Sequence, residues 1–143
     1  MAHIEMIYCK IKDLNMKNHL KDSQTLKCTN KDHFSVVYNK DHTTAVATLT
    51  ESLEMTKKPS RFYLELTLEG VFLIEDVKNK SQREDTHRKC YSDMFPIAAE
   101  IIKYLTSNSG VREGVSIQER LLKQVNFGPE AKMKNENIIN FPC

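Results

Sequence analysis

Hydrophobic residues recur at two spacings along this chain: every second position through most of residues 3–74, and every third or fourth position in one stretch beyond it. In the stretch 91–110, Met94, Ile97, Ala98, Ile101, Ile102 and Leu105 fall on one face at about 100° per residue, which predicts an amphipathic helix. Ser92 or Asp93 supplies an N-cap, Pro96 then lies in the first turn, and Gly110 offers a positive-φ stop.

Period-two runs predict four strands before that helix. From His3 to Met16 the phase changes: Ile4, Met6 and Tyr8 are even, then Ile7, Cys9 and Ile11 odd, as in a bulged or strongly twisted strand. Residues 17–32 are polar, with only Leu20 and Leu26 as anchors, and read as a loop or crossover. Phe34, Val36 and Tyr38 form a second strand, and Asn39-Lys40-Asp41-His42 turns it into a third. That third run, 43–55, places Ala45, Ala47, Leu49 and Leu53 on its buried side, where small residues allow a helix close approach.

The fourth strand alternates Phe62, Leu64, Leu66 and Leu68 with Tyr63, Glu65, Thr67 and Glu69. Gly70 then marks a bulge, a bend or a close backbone approach before 71–74. Residues 75–88 read as a charged loop leading into the helix. After Gly110 two readings stand: Ser116-Ile-Gln-Glu119 matches a capping box opening a short second helix, or 111–127 is an extended apolar loop. Residues 128–143 read as a polar C-terminal tail with Ile138, Ile139 and Phe141 as an anchor. The order of elements gives an α+β fold: a four-stranded antiparallel sheet with one long and one short helix on one face.

A length of 143 residues suits a single domain. Its 21 basic and 19 acidic residues are interspersed, which leaves no basic patch for nucleic acid. No apolar run approaches a bilayer span and no leader pattern opens the chain, so a cytoplasmic protein without membrane insertion is expected. Cys9, Cys28, Cys90 and Cys143 are far apart and lack ligand-spaced partners; they read as reduced structural thiols, with no metal and no cofactor expected. The histidines, His87 included, read as surface residues.

No nucleophile with a base, carboxylate pair in a pocket or Gly-rich phosphate cradle can be picked out, so no catalysis is expected. Glu65 and Glu69 read as a solvated sheet face. The apolar arc of the helix, from Ile97 through Leu105 to Phe95, covers roughly 160°, wider than the ~100° stripe one packed face needs. Its surplus faces either the core of the same chain or another polypeptide.

Taken in order, Leu68-Glu-Gly-Val-Phe-Leu-Ile-Glu75, Met94-Phe-Pro-Ile-Ala-Ala-Glu100 and Val125-Asn-Phe127 resemble the protein-export chaperone SecB and its relatives, as does 7–14 at the first strand. The resemblance spans most of residues 3–127. It implies dimers that can pair into tetramers and ATP-independent holding of unfolded polypeptide on apolar grooves. Ile97 and Ala99 stand where an aromatic and an Arg are usual, Lys123-Gln124 stands where proline is usual, and the family's second long helix is replaced by Gly128-Pro129 and a polar tail. A slightly basic charge also departs from the strongly acidic relatives, which counts against docking on a translocase motor.

The expectation is therefore a client-binding or oligomer-forming surface built from Phe72, Phe95, Ile117, Leu121, Leu122, Val125 and Phe127. The rival expectation is a non-catalytic regulatory or structural subunit dedicated to one partner, of antitoxin or phage-accessory type.

Overall fold

The computed structural model describes residues 3–24, 27–41, 43–75, 79–120 and 130–142, with only the backbone described for Lys80 and for 130–142. Strands β1 (His3–Asn18), β2 (Lys27–Tyr38), β3 (Thr44–Met55) and β4 (Phe62–Glu75) precede one helix, α1 (Lys80–Ser107), and a last strand, β5 (Glu130–Pro142). These five strands pair antiparallel throughout, in the order β1-β4-β3-β2-β5. The four expected strands and the long helix are present. The residues expected to be a polar tail instead add a fifth strand on the free edge of β2.

Alternation decides which face is core. Phe34 and Val36 of β2, Ala45, Ala47, Leu49 and Leu53 of β3, and Leu64, Leu66, Leu68 and Phe72 of β4 are all buried on the side that α1 covers. In the same phase a row of small side chains crosses the sheet: Val36 pairs with Ala47, Ala47 with Gly70, and Gly70 with Cys9. This row lets the helix approach. A β-carbon at Gly70 would meet the Met94 sulfur at 2.9 Å. Gly70 therefore marks a close approach, while β4 itself runs on to Glu75 without a register shift against β3.

The irregularity lies in β1, whose pairing with β4 shifts between Met6 and Tyr8 and again between Ile11 and Asp13. The phase change legible in the sequence is the first of these bulges. The second returns Leu14 and Met16 to the core face.

The helix begins at Lys80 and runs 28 residues, overturning the reading of 79–88 as a loop. Asn79 is the N-cap, its side chain accepting from the Gln82 N–H at 2.8 Å. Ser92 and Asp93 are consequently mid-helix, and Pro96 lies well inside, where it denies the Ser92 carbonyl its helical donor. The buried stripe starts at Thr86 and His87, so His87 is a core residue, packed edge-on against Phe34 with ring centroids 5.1 Å apart. The expected stop is present: the helix ends at Ser107, and Gly110 takes φ 89°.

Beyond the helix, 115–120 forms no second helix. Val115 N–H donates to Thr106 Oγ1 at 2.8 Å, and Arg120 N–H donates to Tyr91 Oη at 3.2 Å. These long-range bonds hold the capping-box residues extended. Residues 121–127, the rest of that expected helix, lie outside the described residues.

Candidate functional site: an apolar groove between the edge strand and the helix

The surplus width of the helix is exposed at the β1 edge. Met94, Ala98 and Ile102 are fully buried against the sheet. One step around the helix, Ile97, Ile101 and Leu105 are only half-buried, and Tyr104 is 68% exposed. Facing them from β1 are Ile11 and Leu14, at 49% and 42% exposed. Together they line an open groove of ≈ 420 Å³ in which Glu100 is the one carboxylate among the described residues.

The groove exists because β1 is bulged. Between the two register shifts Ile11 pairs with Leu68, and beyond the second Leu14 pairs with Leu66, so both turn toward the helix side. Without the second bulge Leu14 would point to the opposite face. On the outer face of the sheet, Lys10 and Lys12 approach Glu69 at 3.6 Å, and Tyr63 Oη donates to Glu65 Oε2 at 2.9 Å. Glu65 and Glu69 thus lie on the solvated face. Lysines and bulges along an edge strand discourage sheet-to-sheet pairing, so what the edge offers another chain is mainly apolar side-chain contact with the groove.

Of the residues expected to form a binding surface, Phe72, Phe95 and Ile117 are at most 6% exposed and belong to the core. They support the sheet and helix rather than line the groove. Leu121, Leu122, Val125 and Phe127 lie outside the described residues. Ile97 and Leu105 belong to the spare helical arc visible in the sequence. Ile11, Leu14 and Tyr104 escaped that reading; the return of Leu14 to an even position after Ile11 was the available signal.

A second group of polar residues is sealed inside. Asn30 and Asp32 of β2, Glu51 of β3, Tyr91 of α1 and Arg120 are all under 9% exposed. Arg120 Nη1 donates to Asp32 Oδ1 at 2.8 Å and Nη2 to Asn30 Oδ1 at 2.7 Å. Asn30 Nδ2 donates to Glu51 Oε1 at 3.2 Å, and Tyr91 Oη donates to Asp32 Oδ2 at 3.2 Å. Burial pushes the Glu51 carboxyl up to about 8, the Asp32 charge adding to the rise while Asn30 and Arg120 oppose it. Burial also raises Asp32, against the pull of Arg120 and Tyr91. Among the described residues no His, Cys, Asp or Glu cluster could hold a metal, and no helix is long and apolar enough to cross a membrane.

Neither a scan of protein-family models nor a search of curated proteins finds a match to this chain. Among solved structures, the chain aligns with the SecB-like chaperone Rv1957 of Mycobacterium tuberculosis, solved in complex with a ChAD peptide from the HigA1 antitoxin Rv1956. The alignment covers 80% of this chain and 86% of that one, with a TM-score of 0.64 and 8% identity. The fold is SecB-like. At 8% identity the likeness is one of architecture: an antiparallel sheet with its long helix on one face. The apolar lining of the groove comes from Ile11, Leu14, Ile97, Ile101, Tyr104 and Leu105.

Proposed function

We propose that this chain is an ATP-independent, chaperone-like binder of unfolded or partner polypeptide, acting without catalysis in the cytoplasm. The observation that carries the reading is the open groove of ≈ 420 Å³ along β1 and α1, whose described lining is apolar apart from the Glu100 carboxylate and the Tyr104 hydroxyl. Such a surface accepts large apolar side chains of many shapes, because burial is rewarded at about 25 cal/mol per Å² without demanding a particular hydrogen-bond pattern. Free thiols at Cys9 and Cys90 suit a reducing compartment. The peptide complex of the structurally similar Rv1957 supports polypeptide as the ligand class. We also propose assembly into dimers or tetramers, which would shelter part of the same apolar edge.

The test is binding of a fluorescently labelled, permanently unfolded polypeptide, read by anisotropy. Leu14→Ser and Ile101→Ser are each expected to weaken binding at least tenfold, with circular dichroism confirming that both variants stay folded. Folded variants that bind as tightly as the original chain would remove the groove as the site.

The second reading, a subunit dedicated to one partner, is favoured by the antitoxin origin of the peptide bound to Rv1957. Comparable affinities for several unrelated unfolded polypeptides support the general binder. Tight binding to a single defined partner peptide, with none to the others, supports the dedicated subunit.

A further inference from the structure

Asp32 and Glu51 are direct partners across the β2–β3 ladder. Both point to the core face, at 4% and 1% exposure. One guanidinium faces them, that of Arg120, which donates to Asp32 Oδ1 at 2.8 Å and to Asn30 Oδ1 at 2.7 Å. Among the described side chains, the other groups around the pair are neutral. Asn30 comes from β2 and Tyr91 from α1, while β4 sets Leu64 and Leu66 beside Glu51 and its neighbour Leu53. Glu51 Oε2 has no hydrogen-bond partner among the described residues.

Two carboxylates against one guanidinium leave one buried negative charge in excess unless the cluster holds a proton. A buried uncompensated charge is among the costliest features a core can carry. Asp32 has hydrogen bonds from the guanidinium and the Tyr91 hydroxyl to stabilise its charge, whereas Glu51 has the Asn30 amide and, more weakly, the Arg120 charge. The proton therefore belongs on Glu51, whose carboxyl burial pushes up to about 8.

The surroundings differ in how readily they yield. Asp32 and Glu51 sit on strands locked by a continuous ladder, and Tyr91 lies mid-helix. Residues 115–120 belong to no helix or strand and are tied down by the Val115 and Arg120 N–H groups and the Arg120 side chain. If the cluster must admit water, a segment outside the sheet ladder and the helix yields more readily than either.

We propose that Asp32, Glu51 and Arg120 form a proton-controlled latch: with a proton on Glu51, Arg120 holds 115–120 against the sheet and helix, and loss of that proton loosens this segment while the sheet stays paired. The latch is independent of the groove and would act whatever the groove binds.

Amide hydrogen exchange of the full chain from pH 6 to 9, corrected for intrinsic rates, tests it. Protection of 115–120 is expected to fall at least tenfold between pH 7 and 9 while the β3–β4 ladder keeps its own. Glu51→Gln retains an oxygen for Asn30 and cannot ionise, so it should hold 115–120 protected throughout. Unchanged protection in the original chain, loosening of the whole sheet, or the same loss in Glu51→Gln would overturn the latch. A carboxyl ¹³C titration of Glu51 in the unaltered chain decides independently of how the variant folds. An inflection near the pH of segment loosening supports the latch, and one in the ordinary carboxylate range overturns it.

Discussion

Met94 of α1 lies over Gly70 of β4 so closely that a β-carbon on the glycine would stand 2.9 Å from the methionine sulfur and 3.0 Å from Cε1 of Phe72. The pair sets the distance between helix and sheet, since Gly70 completes the small-residue row that runs from Val36 through Ala47. Gly70→Ala is expected to destabilise the fold by about 1–3 kcal/mol in urea unfolding, the usual cost of overpacking. Met94→Ala alone should cost about 2–5 kcal/mol, as loss of a buried Met does. In the Met94→Ala background, adding Gly70→Ala should cost clearly less than it does alone, because the clashing side chain has gone. Strict additivity of the two would show that the contact is not what holds the helix off the sheet.

Arg120 is the cation that makes the buried cluster tolerable, so removing it should be costly. Arg120→Met leaves Asp32 buried without its charge partner, and a loss of about 3–5 kcal/mol is expected at pH 7. Asp32→Asn added to that variant should restore part of the loss, since it removes the orphaned charge. The measurement is a four-member urea series. No recovery in the double variant would mean that the guanidinium acts through packing rather than charge.

These two relationships were unequally legible in the sequence. Ala45 and Ala47 announced a close helix through their size, and the odd-even phase change in 4–11 announced the first bulge of β1. Asn30, Asp32 and Glu51 occupy core-phase positions in β2 and β3, so polarity hid the first half of β2, residues 27–32, which read as loop, and the cluster alike. The helix start was hidden for a related reason. Its first buried residues are Thr86 and His87, which carry no aliphatic signal, so the visible stripe began only near Met94. The fifth strand is a pairing of residues distant in sequence, and nothing local in 130–142 distinguishes a strand from a polar tail.

His87 turns that hidden stripe into an acid-sensitive element. Burial against Phe34, with the Arg88 charge adding to it, lowers its imidazole to about 4, against an ordinary value near 6.5. The unfolded chain therefore takes up a proton between those two values while the folded chain does not. Stability contributed by neutral His87 is present above about pH 6.5 and is lost as pH falls through about 4. Neither ring nitrogen has a hydrogen-bond partner among the described residues. His87→Phe, which removes the unsatisfied nitrogens but keeps a ring, is expected to flatten the acid limb of stability against pH between 6.5 and 4. An unchanged acid limb would place the sensitivity elsewhere.

Tyr104 separates binding from stability better than any other groove residue. It is 68% exposed, yet it lines the groove with Ile101 and Leu105. Its side chain contributes little to the folded monomer, so Tyr104→Ala should shift stability by no more than about 0.5 kcal/mol. Against a bound apolar segment the same ring would be covered, and truncating an aromatic contact of that kind costs about 1.4 kcal/mol or more of binding, a loss of roughly tenfold or more. Anisotropy titration with a labelled unfolded polypeptide, run beside urea unfolding, gives both numbers on one variant. Weakened binding at unchanged stability assigns Tyr104 to the ligand surface. Equal binding at equal stability would leave the groove without a ligand at its most exposed aromatic, and would move the search for the binding surface to the opposite face of the sheet, where Tyr8, Val37 and Leu73 stand exposed.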